Sequence, residues 1–204
     1  MQVPRLVLAS KNKGKLRELK TMLAGSPWEL CSAADFPELP PVVEDGKTFR
    51  ENAVKKAVTV AGILKEWTLA DDSGLEVDAL DGAPGVFSAR FAGEPGDDRK
   101  NNEKLLRLLA GVPMEQRTAR FRCVLALASP EGEVWTTERT CEGLIGLAPR
   151  GDQGFGYDPL FYLPELGVTM AELPEEKKNA ISHRGKAMKD LLAYLKTIAP
   201  DRID

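Results

Sequence analysis

The chain is poor in the residues that build disulfide or zinc scaffolds. Its three cysteines, Cys31, Cys123 and Cys141, are odd in number, far apart and without a C-x-x-C pair. That excludes a disulfide framework and suits a reducing compartment. There is one histidine, His183, and a lone His beside Arg184 makes neither a zinc site nor a Ser-His-Asp triad. Long hydrophobic runs are missing as well. Near the N-terminus the only apolar run before Lys11, Lys13 and Lys15 is residues 6–9. A secretory leader needs roughly 7–15 apolar residues and a membrane span about 20, so a soluble protein of the cytoplasm is expected. Nor is positive charge in excess. The formal net charge is −3, and no stripe of interleaved aromatic and basic residues runs along the chain, so neither a nucleic-acid nor a membrane partner is expected. A polyanion would have to be held by a local cluster of Lys and Arg.

What is present is ordinary for a globular protein: 43% hydrophobic and 29% charged residues in 204. A chain of that length buries roughly 70% of its unfolded surface and needs no staples. Residues 6–9 and 28–32 read as buried strands, with a helix over 14–24 carrying Leu16, Leu19, Met22 and Leu23 on one face and Gly25 as its stop. Thr48-Phe49-Arg50-Glu51 has the form of a capping box, opening a helix to about residue 66 that buries Phe49, Ala53, Ala57, Ala61 and Leu64. Residues 68–70 form a brief strand that ends at the turn-forming Asp71-Asp72-Ser73-Gly74, and 75–80 alternate as a strand does. Residues 81–97 read as a long loop with room for one helical turn. Residues 99–110 form a helix with Leu105, Leu108 and Leu109 inward. Residues 118–129 and 133–142, joined by Pro130-Glu131-Gly132, make a β-hairpin. Residues 159–163 are strand-like. Ser182 caps a last helix burying Ala187, Leu191, Tyr194 and Leu195. Early strand–helix alternation followed by a hairpin predicts one α/β domain with a mixed sheet and flanking helices.

Five places carry candidate chemistry. Ser10-Lys11-Asn12-Lys13-Gly14-Lys15 joins a strand to a helix start, where backbone N–H groups and the positive dipole end suit a phosphate chain. It is not a Walker A loop, and it also reads as a solvated basic turn. Asp71-Asp72-Ser73-Gly74 can hold Mg²⁺ while one carboxylate orients a water, or can simply be a turn. Glu44 is a further metal ligand or a solvated loop carboxylate. In Gly154-Phe155-Gly156-Tyr157-Asp158-Pro159, glycines bare an aromatic ring, giving either a stacking platform with Asp158 at a base edge or a glycine-rich corner. Lys178 with His183 and Arg184 offers donors for a carbonyl or phosphate, or forms polar surface near a helix start.

Taken together, Leu8-Ala9-Ser10-Lys11-Asn12-Lys13-Gly14-Lys15, Thr48-Phe49-x-Glu51-Asn52-Ala53, Ala70-Asp71-Asp72-Ser73-Gly74-Leu75, Ser88-Ala89-Arg90, Gly154-Phe155-Gly156-Tyr157-Asp158-Pro159 and Ile181-Ser182-His183-Arg184-Gly185 closely resemble the inosine/xanthosine triphosphate pyrophosphatases, the Ham1-like proteins. The resemblance runs from about residue 5 to 195. It implies a mixed α/β fold of two lobes around a central active-site groove, a homodimer, and Mg²⁺-dependent hydrolysis of ITP, dITP or XTP to monophosphate and pyrophosphate. It implies that residues Ser10, Lys11, Asn12, Lys13, Gly14 and Lys15 bind the triphosphate, with Lys56 a phosphate contact and Ser73 a substrate contact. Asp72 would be the proton acceptor and, with Glu44, a metal ligand. Phe155, Gly156, Tyr157, Asp158, Lys178, His183 and Arg184 would hold the base. The first motif more often reads Thr-Gly-Asn where this chain has Ser10-Lys11-Asn12, and two acidic residues often stand where it has Val43-Glu44. The residues also admit a Maf-like pyrophosphatase for other abnormal nucleotides, or a module that binds triphosphate without turnover.

Overall fold

The short apolar runs fold as strands and the 3.6-residue stripes as helices. In the computed structural model, which describes residues 4–198, β1 (Arg5–Leu8) leads to α1 (Lys13–Leu23), and β2 (Glu29–Ser32) follows. After α2 (Phe49–Leu64) come β3 (Trp67–Val77), a 3-10 segment at Gly85–Arg90 and α3 (Asp98–Leu108). The hairpin is β4 (Thr118–Ala128) with β5 (Val134–Ile145). Short β6 (Phe161–Leu163) and β7 (Val168–Thr169) precede α4 (Glu175–Ile181) and α5 (His183–Ile198). The strands form one sheet in the order β2-β1-β3-β4-β5-β6-β7. It is mixed: β1 pairs parallel with β2 and β3, while β6 pairs antiparallel with β5 and β7. No helix among the described residues is long and apolar enough to cross a membrane.

The chain divides into two compact units. The first takes residues up to Asp72, Cys123–Arg139 and the chain from Arg184 onward; the second takes Ser73–Arg122 and Thr140–His183. Each has a core of its own. In the first, Leu6, Leu8, Leu69, Leu125 and Leu127 of the strands meet Leu19 and Leu23 of α1 and Leu191 and Leu195 of α5. In the second, Leu75, Val77, Phe121 and Ile145 meet Leu105, Leu109, Phe161 and Met170. Each fully buried Leu or Phe stabilises its unit by about 1.5–3 kcal/mol, so both have cores of substance.

Several elements differ from their sequence reading. Asp71-Asp72-Ser73-Gly74 is not a turn after a strand but lies inside β3, which runs unbroken for 11 residues. Asp and Gly lower strand propensity, but a carboxylate can be buried in a strand when cations meet it, and here they do. The Thr48 hydroxyl accepts from the Glu51 amide as expected, whereas the Glu51 carboxylate accepts from the Lys47 amide, one residue earlier than a capping box requires. α2 stops at Leu64 because Lys65 turns left-handed (φ 55°), leaving Leu64 half-buried. Leu108 is 47% exposed, since the buried face of α3 runs through Asn101, Leu105 and Leu109. Tyr194 is half-buried and stacks on Trp135, centroids 4.9 Å apart. Ser182 ends α4. That two-turn helix is too short to show a period in the sequence, though Pro174 and the acidic first turn Glu175-Glu176 suit its start.

Candidate active site

In the first unit the basic turn is set by its own side chains. Asn12 caps α1, its Oδ1 accepting from the Lys15 amide at 3.0 Å, while the Asn12 amide donates to the Ser10 hydroxyl at 3.1 Å. α1 has no acidic residue in its first turn, where Lys13 and Lys15 stand instead, with Lys11 just before the cap. Cations at the positive end of a helix dipole oppose local stability; Asp71 offsets the charge of Lys15, and an anion docked there would offset the others. Lys11 and Lys13 are exposed, and Gly14 is half-buried between them and Lys15.

Strand alternation sends Asp71 and Asp72 to opposite sides of β3, and their partners agree. The Asp71 carboxylate is fully buried. It accepts from Arg184 Nε at 2.6 Å and pairs with Lys15 Nζ at 2.7 Å, while Arg184 also binds Glu18 at 2.8 Å. Burial alone would raise the Asp71 pKa, but the charges of Arg184 and Lys15 outweigh it and hold the carboxyl well below its ordinary value. On the other side, Lys56 Nζ reaches Asp72 Oδ1 at 3.1 Å, the Asp71 carbonyl at 3.2 Å and Glu44 Oε2 at 3.3 Å. Burial would lower the Lys56 pKa, but Asp72 and Glu44 raise it, so this ammonium stays charged. Burial raises the pKa of Asp72, with Lys56 and Lys15 pulling the other way and Glu44 adding to the rise. Asp72 Oδ2 is buried and has no hydrogen-bond partner among the described residues.

A depressed Asp71 pKa is a statement about stability. The stabilisation is present in full above the ordinary carboxylate range near pH 4 and is lost as the pH falls through that range toward the native value. Asp71→Asn should therefore cost about 3–5 kcal/mol at pH 7, because it strands Arg184 and Lys15, and the deficit should shrink at pH 3.5. Urea unfolding of both proteins at the two pH values checks this; an equal deficit at both would contradict it.

The second unit holds a different set. Lys178 of α4 pairs with Asp158 at 2.5 Å, both nearly buried, and lies 4.9 Å from the centroid of the Phe155 ring. The Phe155 amide also donates to Asp158 Oδ2, at 2.9 Å. Gly154 is required there: its φ is +76°, and a Cβ would fall 2.1 Å from Asp158 Oδ2. The Tyr157 hydroxyl donates to the Ser88 carbonyl at 2.7 Å, and His183 stacks on Phe121 with centroids 4.8 Å apart. Ser73, half-buried, is the first residue of this unit.

The Ham1 family model matches residues 6–194. The chain belongs to the Ham1 family. It is 58% identical over 191 residues to the dITP/XTP pyrophosphatase of Desulforamulus reducens, covering 94% of this chain and 95% of that protein. It is also 58% identical to the dITP/XTP pyrophosphatase of Geobacter sulfurreducens, covering 94% and 96%. Among solved structures it superposes on the Ham1 protein of Coxiella burnetii with a TM-score of 0.86 at 41% identity, covering 95% of this chain and 99% of that one. The Staphylococcus aureus Ham1 protein gives 0.84, with the same identity and coverage.

Within this Ham1 chain, Ser10, Asn12, Lys15, Glu44, Lys56 and Asp72 fall in one unit and Phe155, Gly156, Tyr157, Asp158, Lys178 and His183 in the other. Arg184 stands in the first unit on Asp71 and Glu18. Sequence reasoning offered Asp71 only as part of a carboxylate pair for Mg²⁺, whereas the structure commits it to Arg184 and Lys15, and it missed Glu18. One signal was available for Glu18: it lies three residues after Lys15 and four before Met22, on the helix face that is otherwise apolar. Ser88 is structural. Its hydroxyl donates to the Gly85 carbonyl at 2.6 Å and accepts from the Leu75 amide at 2.9 Å.

Among the described residues no group of three or more His, Cys, Asp or Glu side chains could hold a metal ion. Asp72 and Glu44 are two carboxylates sharing Lys56. That number fits Mg²⁺, which is usually held by one or two carboxylates together with waters and substrate phosphates. The unpartnered Asp72 Oδ2 is the kind of atom such a cation takes.

Proposed function

We propose that this protein is a cytoplasmic, homodimeric, Mg²⁺-dependent pyrophosphatase that hydrolyses ITP, dITP and XTP to the monophosphate and pyrophosphate, clearing non-canonical purine nucleotides from the pool. The observation that carries this reading is the buried Asp72, one oxygen on Lys56 and the other without a partner, beside a lysine-rich helix start. Identity of 58% with proteins named dITP/XTP pyrophosphatases supports the substrate class. The homodimer and the cytoplasmic setting rest on the family alone.

In this reading Ser10, Lys11, Asn12, Lys13, Gly14 and Lys15 hold the triphosphate through backbone N–H groups and charge. Lys56 adds a fixed cation where negative charge grows. Bound by Asp72 and Glu44, Mg²⁺ would supply charge neutralisation and a more acidic water. The Asp72 carboxylate accepts a proton from the water that attacks the α-phosphorus, through a lone pair that the cation does not occupy, and pyrophosphate leaves. Phe155 stacks on the purine, Ser73 contacts the substrate, and Lys178, Asp158 and His183 read the base edge. Gly156 and Tyr157 support the loop. Arg184 acts through Asp71 on Lys15 instead of on the base, because its guanidinium is taken by Asp71 and Glu18.

Incubation with dITP and Mg²⁺ should release pyrophosphate and the monophosphate, and EDTA should stop the reaction. Stepwise release of orthophosphate, or turnover that survives chelation, would sink the proposal. A module that only binds triphosphate would give no product at all.

A further inference from the structure

Two polar side chains of α3 that the function has not used converge on the loop carrying Phe155 and Asp158. The Gly156 amide donates to Asp98 Oδ2 at 2.8 Å, and Asn102 Nδ2 donates to the Gly156 carbonyl at 3.0 Å. Asp98 and Asn102 are one helical turn apart on the same face, so a single element grips both the donor and the acceptor of one residue. The next residue is tied to the same frame. The Tyr157 hydroxyl donates to the Ser88 carbonyl, while Asn101 of α3 donates to the carbonyls of Ser88 and Ala89 and accepts from the Ala92 amide. Among the described residues the Asn102 amide is oriented by Gly156, its Oδ1 being buried without a partner there, and turning it round would set that oxygen against the Gly156 carbonyl.

We propose that Asp98 and Asn102 are positioning residues for base recognition, fixing the Gly156 peptide and thereby the height and tilt of the Phe155 ring beside the Lys178–Asp158 pair. Gly156 has φ +64°, a conformation open to glycine and loosely held by it. Left to itself that peptide would rotate, and Phe155 and Asp158 on either side would move with it. The clamp removes this freedom before substrate arrives, so binding need not spend free energy ordering the loop.

The proposal rests on the reading of Phe155, Asp158 and Lys178 as the base site. Its test is steady-state kinetics with inosine triphosphate, adenosine triphosphate and ribose 5-triphosphate, which has the phosphates and sugar but no base. Asn102→Leu, close in shape, should raise KM for inosine triphosphate about five- to tenfold, as loss of one hydrogen bond implies, and leave kcat unchanged. The kcat/KM for ribose 5-triphosphate should not move. Asp98→Leu should behave like Asn102→Leu, and Asp98→Asn, which keeps an acceptor oxygen, should behave like wild type. Equal losses on inosine triphosphate and the baseless substrate, or no change on inosine triphosphate in either leucine variant, would overturn the proposal. If wild type itself showed no preference for inosine over adenosine triphosphate, the base-site reading would fall first. A preference that survives Asn102→Leu with KM unaltered would remove the clamp alone.

Discussion

Asp72→Asn is expected to lower kcat by about 10²–10⁴, toward the upper end because a proton acceptor and a metal ligand are lost together. The substitution keeps size and shape. The Asn carbonyl oxygen can still accept from Lys56, which now meets Asp72 at 3.1 Å and Glu44 at 3.3 Å, so the ammonium keeps partners and the fold should survive. KM should change less than kcat, since the proposal has the triphosphate gripped mainly at the Asn12-capped helix start. The check is turnover at saturating Mg²⁺ together with the urea midpoint. A variant with more than half of wild-type turnover would show that Asp72 is not the proton acceptor.

The ratio of kcat/KM for inosine over adenosine triphosphate should collapse in Lys178→Met, by roughly 10²–10⁴, and hold in Phe155→Ala. Hypoxanthine and xanthine present a 6-oxo acceptor and an N1–H donor, whereas adenine presents a 6-amino donor and an N1 acceptor. Lys178 is a buried donor paired with the buried acceptor Asp158, so this pair matches the oxo purines and meets adenine with like against like. Each buried mismatch costs about 1–3 kcal/mol, more for a charged group. Two or three together approach the roughly 10⁴-fold discrimination of sites that hydrogen-bond their substrates. Phe155 offers its face to any purine, so removing the ring should weaken both substrates alike. The opposite pattern would mean that ring shape, not edge polarity, sets the selectivity.

Much of the architecture was legible in the sequence because it rests on local periodicity. α1 and the β4–β5 hairpin lie within a few residues of where Leu spacing and the Pro130-Glu131-Gly132 turn put them. Asp71-Asp72-Ser73-Gly74 misled because turn chemistry is a local signal, while the cations that let these carboxylates lie inside β3 come from Lys15, Lys56 and Arg184, far away along the chain. The same limit hid the roles of Asp71 and Glu18, and the grip of Asp98 and Asn102 on Gly156. No spacing rule links residues 98 and 156, and polar residues in the first turns of a helix read as solvated surface. Among the triphosphate candidates, Ser10, Asn12 and Lys15 were legible only as a basic turn before a helix; the structure adds that Asn12 caps α1 and that Asp71 draws Lys15 in.

The position of attack is the most direct measure of the central claim that Asp72 directs water to the α-phosphorus. Hydrolysis of dITP in ¹⁸O-labelled water, followed by mass spectrometry of both products, locates the new P–O bond. The account predicts one label in the nucleoside monophosphate and none in pyrophosphate. A label in pyrophosphate, or in orthophosphate released one unit at a time, would place the attack elsewhere and contradict it.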